Sequence, residues 1–68
     1  MIDTNCLRGL LARKGLSQRR MAEILGITPK TFYEKMKKGV FDSDEMMQMI
    51  TILGINDPMP IFFVEIGT

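Results

Sequence analysis

The stretch SQRRMAEILGITPKTFYEKMKK, Ser17 to Lys38, decides the fold. Counted from Gln18, it places Ala22 fifth, Gly26 ninth, Ile27 tenth and Phe32 fifteenth. Two helices that meet at a corner need a small residue where they cross, and Ala22 supplies one. The tight turn between them needs a residue tolerant of positive φ, which is Gly26. Each helix also needs apolar anchors, and Met21, Leu25, Ile27 and Phe32 are spaced to serve. Ser17 is a good N-cap for the first of the pair, with Leu16 placed as a staple against Met21. Thr28 then caps the second, and Pro29 stands at the first helical position, where a missing N–H is harmless. These features predict a helix-turn-helix over about 17–38. A small helical bundle whose turn happens to use glycine is the plain alternative.

Working outward, Asp3 or Thr4 caps a first helix with Leu7, Leu10 and Leu11 on one face. Arg13 and Lys14 suit its carbonyl end, and Gly15 stops it. The helix-turn-helix pair then forms the second and third helices, the third with Phe32 and Met36 inward and Gly39 as its C-cap. Val40 and Phe41 are expected to plug the following turn. A fourth helix starts at Asp42 or Ser43, with Asp44 and Glu45 in its favoured acidic first turn. Met46, Met49, Ile50 and Leu53 are its apolar residues, and Gly54 ends it. Its methionines suit core filling, or else a soft protein-binding groove. Asp57-Pro58 repeats the cap-plus-proline signal and predicts a short fifth helix, although residues 61–66 also read as a strand.

The expectation is an all-α chain with one domain over residues 1–68. A chain of 68 residues hides only about 60% of its unfolded surface, so helix packing must supply a marginal stability. Its single Cys6 reads as a small helix residue and suits a reducing cytosol. The polar N-terminus is unlike a signal peptide, and no apolar run approaches the ~18 residues of a membrane span. With no histidine, no glycine-rich phosphate loop and no paired carboxylates that stand out, neither an enzyme nor a metal, cofactor or small-molecule site is expected. Asp42, Asp44 and Glu45 are better read as a helix start than as a metal site.

The net charge of +1 conceals a division along the chain. All nine Lys and Arg lie between Arg8 and Lys38 against only Glu23 and Glu34, a local +7. From Gly39 onward there are five acids and no base, a local −5, and Asp3 completes the count. Such a chain has a basic part available to a polyanion, or simply a solvated basic helix pair.

The stretches Lys14-Gly15-Leu16-Ser17-Gln18 and Met21-Ala22-Glu23-Ile24-Leu25-Gly26-Ile27-Thr28 resemble the Cro/CI-type (xenobiotic-response-element-type) helix-turn-helix proteins of phages and prophages. Thr31-Phe32-Tyr33-Glu34-Lys35-Met36, Lys38-Gly39-Val40-Phe41 and Ile61-Phe62-Phe63 extend the likeness over nearly the whole chain, more loosely toward the C-terminus. The resemblance implies a four- to five-helix, lambda-repressor-like DNA-binding domain in the bacterial cytosol or nucleoid. One departure stands out. The eighteenth position, often apolar in this class, is Lys35, and Met36 takes the inward role, which implies a rotated or extended third helix.

In that class the third helix enters the major groove while the second crosses the backbone. The resemblance therefore implies that Pro29, Lys30, Thr31, Tyr33 and Glu34 face the bases. Gln18, Arg19, Arg20, Lys37 and Lys38 would meet phosphates. The chemistry fits: Lys30 can donate to guanine O6 and N7, Thr31 offers a methyl and a hydroxyl, and Glu34 accepts from cytosine N4. Tyr33 can stack on sugar or bond a phosphate, or simply be a half-buried surface ring. A unit this small buries only about 600–1,000 Å² on DNA. A homodimer on a two-fold symmetric operator is therefore expected, with residues 61–68 as a candidate dimerisation tail and docking of that tail on the core as its alternative. The implied activity is a sequence-specific transcriptional regulator, a Cro-like repressor that acts by occupying its operator, since one domain leaves no room for an effector unit. An antitoxin or excision-type regulator, or a protein-binding module using the acidic, Met-rich fourth helix, are the alternatives.

Overall fold

In the computed structural model, which describes residues 2–62, local capping chemistry sets nearly every element boundary. Helix α1 spans Thr4–Arg13, α2 Gln18–Leu25, α3 Pro29–Lys38, α4 Ser43–Leu53 and α5 Met59–Phe62. The Asp3 carboxylate accepts from the Cys6 amide at 3.1 Å and starts α1. Ser17 Oγ accepts from the Arg20 amide at 3.0 Å to start α2, and Thr28 Oγ1 accepts from the Thr31 amide at 3.2 Å to start α3. Each satisfies an amide that the helix itself leaves without a partner.

The corner between α2 and α3 forms as its sequence requires. Gly26 adopts φ 77° and ψ 25°, which turns the chain sharply after α2. Its amide donates to the Glu23 carbonyl, and the Ile27 amide donates to the Ala22 carbonyl at 3.0 Å. Those bonds satisfy two of the last four carbonyls of α2 and aim the chain into Thr28. Ala22 is fully buried, so its lack of bulk lets the two helices approach closely.

Around this corner the core gathers Leu7 and Leu11 of α1, Met21 and Leu25 of α2, Phe32 and Met36 of α3, and Met49 and Leu53 of α4. Phe32 and Phe41 meet as a tilted aromatic pair, ring centroids 5.4 Å apart. Two backbone bonds close the fold end to end. The Ile2 amide donates to the Gly39 carbonyl at 3.1 Å, and the Asp3 amide donates to Ile61 at 2.7 Å.

Three expectations need adjustment. Val40 does not plug the turn after α3: it is 62% exposed while Phe41 is buried. The left-handed backbone at Gly39 swings Val40 outward and delivers Phe41 to Phe32. The methionines of α4 divide, Met49 filling the core and Met47 standing 63% exposed. Finally, Ile61 and Phe62 are helical and buried in the chain's own core, in line with docking of the tail on the core; the rest of the tail, 63–68, lies outside the described residues.

Two glycine substitutions are expected to act with opposite sign. At Gly26 an added Cβ meets nothing within 4 Å, so Gly26→Ala pays only for left-handed backbone. It should lose about 1 kcal/mol and about 4–8 °C in Tm. Gly9 lies mid-α1 with equal space around it, and Gly9→Ala should gain about 0.5–1 kcal/mol. Thermal melts followed by circular dichroism check both.

Candidate nucleic-acid interface

The outward side of α3 is defined by what its inward side buries. Successive residues are about 100° apart around a helix axis. With Phe32 and Met36 buried, Lys30, Glu34, Lys37 and Lys38 fall on the opposite side, and all four are exposed. Neither Lys30 nor Glu34 forms an ion pair with another described residue. Tyr33 and Thr31 bracket this face from opposite flanks, Tyr33 at 49% exposure and Thr31 partly buried. Pro29 is partly buried in the first turn.

Thr31 is more committed than its sequence suggests. Thr28 Oγ1 donates to Thr31 Oγ1 at 2.9 Å, so the Thr31 oxygen is already an acceptor. What it retains for a ligand is its own O–H and its methyl group.

At the start of α2, Arg19 and Arg20 are exposed and Gln18 is partly covered. The Ser17 cap serves the Arg20 amide, leaving the amides of Gln18 and Arg19 at the positive end of the helix dipole. Arg20 Nη1 sits 3.8 Å from Glu23 Oε2, a loose surface pair that leaves its guanidinium accessible. Gln18, Arg19 and Arg20 thus share the N-terminus of α2, while Lys37 and Lys38 occupy the far end of α3.

Lys35 departs from this outward pattern. Its ammonium donates to both oxygens of Glu45, at 2.7 and 2.8 Å, and lies 3.5 Å from Asp42 Oδ2. Glu45 is 6% exposed, and its Oε1 also accepts from the Asp42 amide at 2.8 Å, one arm of a capping box at the start of α4. The hydrogen bond to Glu45 holds the Lys35 pKa above its ordinary value; partial burial opposes this, and the charges of Glu45 and Asp42 reinforce it. The lysine in a position often apolar is therefore met by a carboxylate on the next helix.

The family model for bacterial regulatory proteins of the Fis family matches residues 1–39, from the N-terminus through the glycine that ends α3. The chain belongs to this family. Its helix-turn-helix is thereby that of a DNA-binding regulator, and double-stranded DNA is the ligand this element implies. No curated protein and no solved structure matches the chain. The Fis-family match ends before α4 and thus takes in Lys35 but not the Glu45 that neutralises it. Among the described residues, no helix is long and apolar enough to cross a membrane.

For this Fis-family chain the residues singled out from sequence fall into two clusters, the α3 face and the α2 N-terminus, joined by the Gly26 turn. The Lys35–Glu45 pair escaped the sequence reading. Two signals bear on it without naming the pairing: a lysine at a position often apolar in such motifs, and the Asp42-x-x-Glu45 spacing of a capping box. A raised folded-state pKa contributes stability that is present below the unfolded value and lost as pH climbs through the folded one. The stability difference between wild type and Lys35→Met should therefore hold constant from neutral to about pH 10 and shift against the wild type above it. Urea unfolding across that range checks this.

Proposed function

We propose that the protein is a Cro-like phage or prophage repressor that acts by occupying an operator. The supporting observation is the outer face of α3, where Lys30 and Glu34 stand exposed, with no ion pair to another described residue, beside the basic ends at Arg19, Arg20, Lys37 and Lys38. A helix so presented suits the major groove, with α2 across the backbone. Pro29, Lys30, Thr31, Tyr33 and Glu34 are the base-facing set in this reading. Gln18, Arg19, Arg20, Lys37 and Lys38 are the phosphate set, which positions the protein without choosing sequence.

A single unit of this size offers too little DNA contact for tight specific binding, so the reading includes a homodimer on half-sites about 34 Å apart. Because Ile61 and Phe62 belong to the protomer's core, any tail contribution to that dimer falls to residues after Phe62. The alternative of a protein-binding module draws support from an open depression on the outer side of α4, lined by Met47, Gln48, Thr51 and Ile52. DNA affinity absent even at low salt would favour it.

Selection of bound sites from a random DNA pool should yield one enriched, two-fold symmetric motif. On that motif, Lys30→Ala should weaken binding by about 1–3 kcal/mol more than it weakens binding to random DNA. Lys38→Ala should weaken both alike and reduce the slope of log K against log salt by about 0.9. Identical behaviour of the two variants in salt titrations would refute the assignment of faces.

A further inference from the structure

We propose that Lys35 is a positioning residue for base recognition: through Glu45 it fixes the rotation of α3 against the start of α4, so sequence preference depends on it while bulk DNA affinity does not. The proposal rests on the DNA-binding reading above. The apolar contacts of Phe32 and Met36 hold α3 to the core, but burial is non-directional and tolerates small rotations about the helix axis. The ion pair is directional. One ammonium addresses both oxygens of a carboxylate that is itself buried and tied to the Asp42 amide. The restraint thus runs from the side of α3 into the backbone at the head of α4. A rotation of about 10° would carry a side-chain tip, about 5–6 Å from the axis, through about 1 Å. That exceeds the distance window of a good hydrogen bond to a base edge. Lys35 also faces two acids at 4 Å or less, so its charge is spent inside the protein and not on phosphate.

The test compares full-length wild type, Lys35→Met, Lys35→Arg and Glu45→Gln on the DNA selected by the wild type and on random DNA. It is run at several salt concentrations and at a temperature where circular dichroism finds each variant folded. Lys35→Met is expected to reduce the ratio of selected to random affinity by about tenfold, with an unchanged salt slope. Lys35→Arg, which can still engage both carboxylate oxygens, is expected to keep the ratio within about twofold. Glu45→Gln should also reduce the ratio, although removal of a negative charge on Coulombic grounds alone would strengthen binding to every DNA. Partial unfolding would weaken both DNAs together and leave the ratio alone. If Lys35→Met flattens the salt slope and weakens both DNAs equally, Lys35 is a phosphate contact and the proposal fails. It fails too if Lys35→Met and Glu45→Gln both leave the ratio unchanged. Wild type that binds no DNA at low salt would instead overturn the DNA-binding reading, and this inference with it. Should Lys35→Met not fold, Glu45→Gln and Lys35→Arg decide by the same ratio.

Discussion

The close crossing of α2 and α3 at Ala22 is the constraint on which the rest of the molecule depends. A residue with no bulk at a fully buried position lets the helices approach, and the left-handed glycine four residues on makes the turn short enough to use that approach. Everything else follows from keeping this corner rigid. Leu7, Leu11, Met49 and Leu53 fill the space behind it, and the Ile2 and Asp3 amides strap the chain ends to Gly39 and Ile61. A core this small has little stability in reserve, so its geometry relies on directional bonds at helix ends as much as on buried area. The outer face of α3 is available to a ligand because its inner face is held from several directions.

Electrostatics refine that picture. The nine bases of the chain are not equivalent once folded. Lys35 is committed to Glu45 and Asp42, Arg20 leans toward Glu23, and Arg8 donates to Asn5 at 2.7 Å. Lys30, Lys37 and Lys38 point outward from α3, where no acid among the described residues holds them. A partly buried pair such as Lys35–Glu45 is weak evidence of stability, because taking the Glu45 carboxylate out of water offsets part of the attraction. Its more direct consequence is geometric: it adds a directional bond between α3 and α4 to the non-directional apolar packing of the core.

Much of this was legible in the sequence because the signals are local. Ser17, Thr28 and Asp42 cap within three residues of their targets, and glycines sit where the helices stop, so boundaries follow from short-range chemistry. The outward set on α3 could likewise be inferred, since Phe32 and Met36 mark the inward side by periodicity alone. What escaped notice depended on tertiary placement. The partner of Lys35 is ten residues away on another helix, and nothing local says which acid will turn toward it. Val40 and Phe41 are both apolar neighbours, and only the direction imposed by Gly39 decides which one is buried. The tail read as surplus apolar surface because its docking site, on α1 and the N-terminal strap, is built from the far end of the chain.

The near-neutral total of the chain is a poor guide to how DNA would meet it. At physiological salt the Debye length is about 8 Å, well under the molecule's extents of 35 × 23 × 20 Å. A polyanion approaching the α2–α3 side therefore senses chiefly the charges exposed within that distance, not the total of the chain. The exposed basic residues of α2 and α3 would thus select an orientation before any base is read. In a longer chain that selection could be left to a large positive field. In one with a net charge of +1 it falls to the placement of individual side chains. That gives the internal neutralisation of Lys35 a second effect: of the three lysines in the last turn of α3, it leaves Lys37 and Lys38 as the ones accessible to a polyanion.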